Sequence, residues 1–238
     1  MEQINVDQPI PQPSNAGLEE IRNQIQGIGE LVEQQIADAV TAMVEDDTRL
    51  ANLVVGNDYK VNGLELATEQ QCIEFLIHQH PPTNDLRLIM AVIKTINDLG
   101  RINDEAIGLG YMVLSRTAKA GINRCYVQVE QLGNHVRGML HDAMHAFMDS
   151  NHEEAMQIWQ QELRIEKECE GITRQLITYI LEDQRSIARA LDIIGTVRAL
   201  QRIGQRAGNI CKSVINLVKG RAVRRTSLAA PIYSEVTR

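Results

Sequence analysis

Apolar residues recur at helical intervals along nearly the whole chain. Leu132, Val136, Leu140, Ala143, Met144 and Phe147 follow one another by steps of four, four, three, one and three, and Ile187, Leu191, Ile194 and Val197 continue the habit. Such steps put side chains on one face of a helix of 3.6 residues per turn, whereas a strand needs strict alternation, which is absent. Five breaks interrupt the pattern. They are Glu45-Asp46-Asp47-Thr48, His80-Pro81-Pro82-Thr83-Asn84-Asp85, Lys119-Ala120-Gly121, Ser150-Asn151-His152-Glu153 and the stretch from Glu182 to Ser186. The second is firm because proline excludes the residue before it from helix. In the fourth, Ser150 and Glu153 have the spacing of a capping box. Five breaks predict six helices, most of about 25 to 35 residues and so roughly 40 to 50 Å long. The fold class is all-α.

The two halves resemble each other. Gly29-Glu30-Leu31-Val32 aligns with Gly133-Asn134-His135-Val136 at an offset of 104, which also brings Asp58 to Asn62 onto Glu162 to Glu166. Past the His-Pro-Pro loop, which the second half lacks, the offset becomes 101 and Arg101-Ile102 falls on Arg202-Ile203. Two tandem copies of a three-helix unit are the simplest reading, and three long amphipathic helices can bury a common stripe as a bundle. The expected division is a Pro-, Gln- and Asn-rich tail over 1–17, a first bundle over 18–120, a second over 121–220 and a basic flexible tail over 221–238.

Composition narrows the function classes. The 238 residues are 44% hydrophobic and 23% charged, an ordinary globular balance rather than that of a disordered chain. Aromatics are only 3%, with Trp159 the single tryptophan, so the core has to be aliphatic. A net charge of −7 argues against nucleic acid as a partner, since phosphate attraction needs clustered cations. The one basic cluster is short: Lys219, Arg221, Arg224 and Arg225. It is read as a solubilising end, touching a membrane only indirectly. Cys72, Cys125, Cys169 and Cys211 are isolated and form no CxxC, which reads as reduced thiols in a cytoplasmic protein. The N-terminal stretch has no signal-peptide character, and no run approaches the roughly 18 apolar residues of a membrane span.

Several stretches then carry a resemblance. His80-Pro81-Pro82-Thr83-Asn84-Asp85-Leu86-Arg87 resembles the Pro-x-x-x-Asp-Leu-Arg start of the third helix in the PhoU family, and Lys94-Thr95-Ile96 with Arg101-Ile102 continues it. In the second half Leu140-His141-Asp142-Ala143, the run from Glu168 to Tyr179, Arg202-Ile203-Gly204, Asn209-Ile210-Cys211 and Val218-Lys219-Gly220 match as well. The resemblance covers about residues 18 to 220. It implies two three-helix bundles, usually homodimeric, acting as a negative regulator of the phosphate-starvation response and of phosphate uptake. The implied partners are the ATPase subunit of the phosphate transporter and the phosphate-sensing histidine kinase, with Arg87, Arg101 and Arg202 as candidate partner-binding residues.

The same resemblance implies an acidic residue and an aspartate four apart in each bundle, able to bridge iron, zinc or magnesium. This chain departs from that pattern. The first pair reads Gly100 and Asp104, and the second reads Gln201 and Gln205. With the companion positions counted, Asp58 and Asp104 remain in one half and Glu162 and Glu166 in the other. Two carboxylates on a helix face compete poorly with water for a divalent cation, so metal binding is expected to be weak or absent, and no cofactor is required. The alternative is a helical metal-binding protein or metalloenzyme with carboxylate-lined faces; the absence of any Glu-x-x-His counts against its ferritin-like form.

Other candidate chemistry is thin. His141-Asp142-Ala143-Met144-His145 is a degraded HExxH without a third ligand and reads as two surface histidines. His78 and His80 read as loop polarity. Gly27-Ile28-Gly29 and Gly108-Leu109-Gly110 follow no strand, so they are read as sites of close helix packing rather than phosphate cradles. No catalytic constellation emerges, which favours an interaction protein over an enzyme.

Overall fold

The computed structural model describes residues 15–79, 81–116 and 123–219. The break at Lys119-Ala120-Gly121, His80, and both expected tails, except residues 15–17, lie outside the described residues. Seven α-helices follow in order: α1 (Asn15–Glu45), α2 (Thr48–Gly56), α3 (Asp58–Gln79), α4 (Thr83–Leu114), α5 (Asn123–Met148), α6 (His152–Glu182) and α7 (Ile187–Lys219). They make the six expected rods, the second of them bent at Asn57 between α2 and α3. A single 3-10 turn, Gln184–Ser186, leads into α7. No strand occurs among the described residues, and no described helix is long and apolar enough to cross a membrane.

The breaks form as their side chains dictate. Asp47 caps α2 by accepting from the Arg49 and Leu50 amides at 2.8 and 3.0 Å. Asp46 before it takes φ 58°, letting the Asp47 amide reach back to Ala42. The turn repeats 104 residues later. Ser150 takes φ 51°, and the Asn151 amide reaches back to Ala146. The expected Ser150–Glu153 capping box is therefore displaced by one residue. Asn151 Oδ1 accepts from the Glu154 amide at 3.2 Å, and Asn151 Nδ2 donates to the Glu154 carboxylate at 3.1 Å. Ser150 closes α5 in a left-handed conformation, so the cap falls to the next residue, Asn151, an equally good cap former.

Helices α1, α2/α3 and α4 pack as one trio and α5, α6 and α7 as the other; α1 lies along α5 and α4 along α7. One continuous aliphatic core runs through both trios, from Ile21 to Ile215. Contacts fix the direction of the seam. Arg22 bonds the Met148 carbonyl, Gly29 meets Met144, Glu33 meets His141 and Gly133 meets Val40, so α1 and α5 are antiparallel. Along α4 and α7, Met112 meets Gly195, Glu105 meets Arg202 and Asp98 meets Arg206, again antiparallel.

These pairs reveal an internal two-fold relation. Gly29 against Met144 becomes Gly133 against Val40 when each residue is exchanged for its repeat equivalent at offset 104. Each half inserts a glycine into the other at the same place, which lets the backbones of α1 and α5 approach closely. The glycine doublets read from the sequence thus act through one member each. Gly29 and Gly110 sit against neighbouring helices, while Gly27 and Gly108 face open space.

A buried arginine ties the seam at one end. Arg116, just after α4, is only 8% exposed at its side chain. It donates to the Met43 carbonyl at 3.2 Å and contacts the Met43 sulfur. It also lies 3.7 Å from both Asp46 and Asp192 and stacks on Tyr126 at 5.8 Å. One side chain so links α1, α4, α5 and α7.

Candidate docking faces and acidic clusters

Most of the exposed side chains on these helices are polar, as amphipathic packing requires. Some exceptions, such as Leu66 and Tyr111, are scattered, but eight of them are organised. At the closed end of the α3–α4 hairpin, Ile73 and Ile77 of α3 and Leu86 and Met90 of α4 are exposed, Ile77 to 60%. At the closed end of the α6–α7 hairpin, Ile177, Leu181, Ile187 and Leu191 are exposed, Leu181 to 80%. The four pairs are repeat equivalents, the first two at offset 104 and the last two at 101. Large aliphatic side chains left in water at the same four places in both halves form a duplicated apolar patch. Because the halves run antiparallel, the two patches sit at opposite ends of the molecule.

The acidic positions lie along α3–α4 and along α6. Asp58 opens α3 and accepts from Asn103 of α4 at 3.3 Å, while Asp104, next to Asn103, is exposed. Sequence reading missed their neighbour Glu65, seven residues after Asp58 on the same helix face. Its carboxylate occupies the space that a side chain at position 100 would fill, so a Cβ at Gly100 would overlap it. Its Oε1 is buried and finds no hydrogen-bond partner among the described residues. Burial, and then the charges of Asp104, Asp58 and Glu69, push the Glu65 carboxyl from an ordinary 4.5 up to about 7.

That shift has a signed consequence. A carboxyl with a higher pKa in the folded chain holds its proton more tightly there. Its stabilising contribution is fully present below the unfolded value of 4.5 and is lost as pH rises through about 7. Glu65 is half-buried, so solvent screens part of the effect. Glu65→Gln is expected to stabilise the protein by about 1 kcal/mol at pH 8.5 and to change it little at pH 4.5, read from denaturant unfolding at both pH values.

The second half is built differently. Glu162 is buried and accepts the indole N–H of Trp159 at 2.8 Å, with its carboxylate against Gly208. Glu166 is partly exposed on the same helix, and Gln201 and Gln205 put amides where the family pattern has acids. No three histidine, cysteine, aspartate or glutamate side chains among the described residues converge to hold a metal ion. Glu162 is committed to an indole, and Glu65 lies desolvated over Gly100 beside Asp104 and Asp58.

The remaining candidates fall on the surface or in the core. His141 Nδ1 meets Glu33 at 3.1 Å, and His145 lies 3.7 Å from both Asp149 and Glu154; both rings are exposed. The degraded HExxH is thus a pair of rim histidines. All four cysteines are buried and none forms a disulfide. Burial chiefly raises the thiols, Cys72 to about 11 and Cys169 and Cys211 to about 12. Arg87 and Arg101 are exposed, whereas Arg202 is held by Glu105 in a two-point bridge at 2.5 and 2.6 Å.

Comparison with known proteins bears on these faces. A model of the PhoU domain matches the chain twice, over residues 25–110 and 129–214. The phosphate-specific transport system accessory protein PhoU of Serratia marcescens is 40% identical over 224 residues, which is 94% of this chain and 92% of that protein. Its counterpart in Escherichia coli K12 is 38% identical with the same coverage. The crystal structure of PhoU from Pseudomonas aeruginosa superposes with a TM-score of 0.83 at 36% identity, covering 87% of this chain and 99% of that one. The phosphate transport system regulatory protein PhoU from Streptococcus pneumoniae superposes at 0.82 and 25% identity, covering 88% and 99%.

Proposed function

The chain belongs to the PhoU family, and on that premise we propose that it serves phosphate-specific transport as a cytoplasmic accessory protein that works by docking rather than by catalysis. Its role is to couple the ATPase subunit of the phosphate transporter to the phosphate-sensing histidine kinase, restraining uptake and the phosphate-starvation response when phosphate is plentiful. The observation that carries the reading is 40% identity along 94% of the chain with proteins named for that transport system.

The surface supports it. An exposed aliphatic cluster at a hairpin end is the kind of surface that takes the apolar face of a partner helix. Two equivalent clusters at opposite ends let one chain hold two partners at once, or two copies of one partner. A homodimer belongs to the same reading, with the outer helix faces available for self-association.

The test is binding of the purified chain to the transporter ATPase and to the kinase's cytoplasmic portion. Ile77→Glu combined with Leu181→Glu is expected to weaken at least one partner about 10-fold or more, because each glutamate places a charge in an apolar contact. Binding is expected to persist in EDTA, as a donor set that does not gather a metal would require. If deletion of the gene leaves phosphate-starvation genes normally repressed in phosphate-rich medium, the regulatory role fails.

A further inference from the structure

Over the crossing of α4 and α7 lies an open groove of about 440 Å³ with Arg101, Arg202, Arg206 and Lys212 in its walls. Three acids, Asp104, Glu105 and Glu162, line it as well. The nearby acids are mostly committed. Glu105 holds Arg202, and Asp98 takes Arg206 at 3.1 Å and Asn209 at 3.3 Å. Glu162 takes the Trp159 indole.

The internal two-fold relation explains why Arg101 is left without an ion pair. Exchange of equivalents at offset 101 carries residue 105 to 206 and residue 202 to 101. The mate of the Glu105–Arg202 bridge is therefore Arg101 with Arg206, two guanidiniums where the symmetry would place an ion pair. Arg206 turns to Asp98 instead. Arg101 is exposed and makes no ion pair among the described residues. Lys212 is met by the neutral Asn209 side-chain oxygen at 2.9 Å and by the face of Trp159 at 5.2 Å, and it too makes no ion pair among the described residues. Against these two cations stand Asp104 on the rim and the Glu162 carboxylate, which lines the groove as well. Gln205, which also lines the groove, carries no charge.

We propose that this groove binds a small ligand carrying a chain of phosphate-type oxyanions, held by Arg101 and Lys212. A guanidinium fork grips such oxygens two at a time and an ammonium meets them as a point charge. The volume lies within the range of small-molecule sites and exceeds what one orthophosphate fills. The site stands whether or not the docking partners named above are the right ones.

Calorimetric titration of the full chain at low ionic strength tests it, with tripolyphosphate and ATP as probes and orthophosphate as the control. Saturable binding of about one tripolyphosphate per chain is expected. Arg101→Gln and Lys212→Gln should each weaken it about 5-fold or more, and Asp104→Asn should tighten it about 2-fold, with circular dichroism confirming folded variants. The Asp104 variant separates this site from a cation site, where losing the acid would weaken binding. Equal affinity for ATP assigns recognition to the phosphate chain alone, and tighter ATP binding assigns it to a nucleotide; either supports the site. It is overturned by non-saturable binding, by orthophosphate binding as tightly as tripolyphosphate, or by affinity unchanged in the Arg101 and Lys212 variants. Loss of binding on neutralising Lys219, Arg221, Arg224 and Arg225 would equally overturn it, since the anion would then sit on the tail.

Discussion

Gly133→Leu is expected to lower the stability of the protein by about 3 kcal/mol, the largest effect of any single change at the seam between the halves. A Cβ at residue 133 would stand 2.7 Å from Val40 Cγ2 and 2.8 Å from Cγ1. Val40 is buried on α1 and β-branched, so it has little rotamer freedom with which to yield. The backbones must separate, and separation unpacks the apolar stripe along the whole of α1 and α5. The helix-propensity gain from losing a glycine, about 1 kcal/mol, offsets only part of this. Val40→Ala alone should cost about 2 kcal/mol as a cavity. In the double variant the larger side chain enters that cavity, so the two losses should sum to less than their separate values by about 1 kcal/mol or more. The repeat equivalent provides a control. A Cβ at Gly29 meets Met144 Cε at 2.9 Å, the far end of a flexible side chain, so Gly29→Ala is expected to be near neutral. Denaturant unfolding of the four variants measures all of this. Additive losses at 133 and 40, or equal losses at 29 and 133, would refute close packing as the function of Gly133.

The contrast between the two glycines shows what the sequence could and could not reveal. Helix periodicity, the proline loop and the polar breaks were legible because each depends on a few neighbouring residues. So was the duplication, since Gly29 and Gly133 align without gaps. The antiparallel seam was not, because nothing local says that Gly133 faces Val40 rather than a residue of its own trio. The bend at Asn57 escaped because one helix-compatible residue interrupts the rod, with no proline to announce it. Glu65 was within reach, as its spacing from Asp58 is helical, but the family pattern directed attention to positions 100 and 104. Its burial over Gly100 depends on how α3 sits on α4. The apolar ends were visible as residues, yet Ile187 and Leu191 fall on a helical apolar stripe, and only the packing leaves them in water. Arg116 had no signal at all, since its partners come from three other segments.

Trp159→Phe is expected to destabilise the protein by about 2 kcal/mol, an effect that turns on a carboxylate rather than on lost ring area. The indole is 3% exposed and gives its N–H to Glu162, itself 8% exposed, at 2.8 Å. Phenylalanine keeps most of the apolar contact but removes that donor from a buried carboxylate, a change costing more than loss of a neutral hydrogen bond. Lys212 sits 5.2 Å from the indole ring and loses part of a cation–π contact as well. Glu162→Gln separates the contributions. A neutral amide still accepts from Trp159, so the single variant should be mild. Added to Trp159→Phe, it should recover about half of the loss, because the buried group no longer bears charge. A metal ligand would behave otherwise. If Glu162 served chiefly to hold a cation, Glu162→Gln would abolish zinc or iron binding while Trp159→Phe left stability nearly unchanged. The geometry favours the first outcome: the glutamate is drawn inward against Gly208, and the position that the family pattern fills with a second acid, residue 205, holds an amide. In this half of the molecule Glu162 is part of the core, packed between α6 and Gly208 of α7.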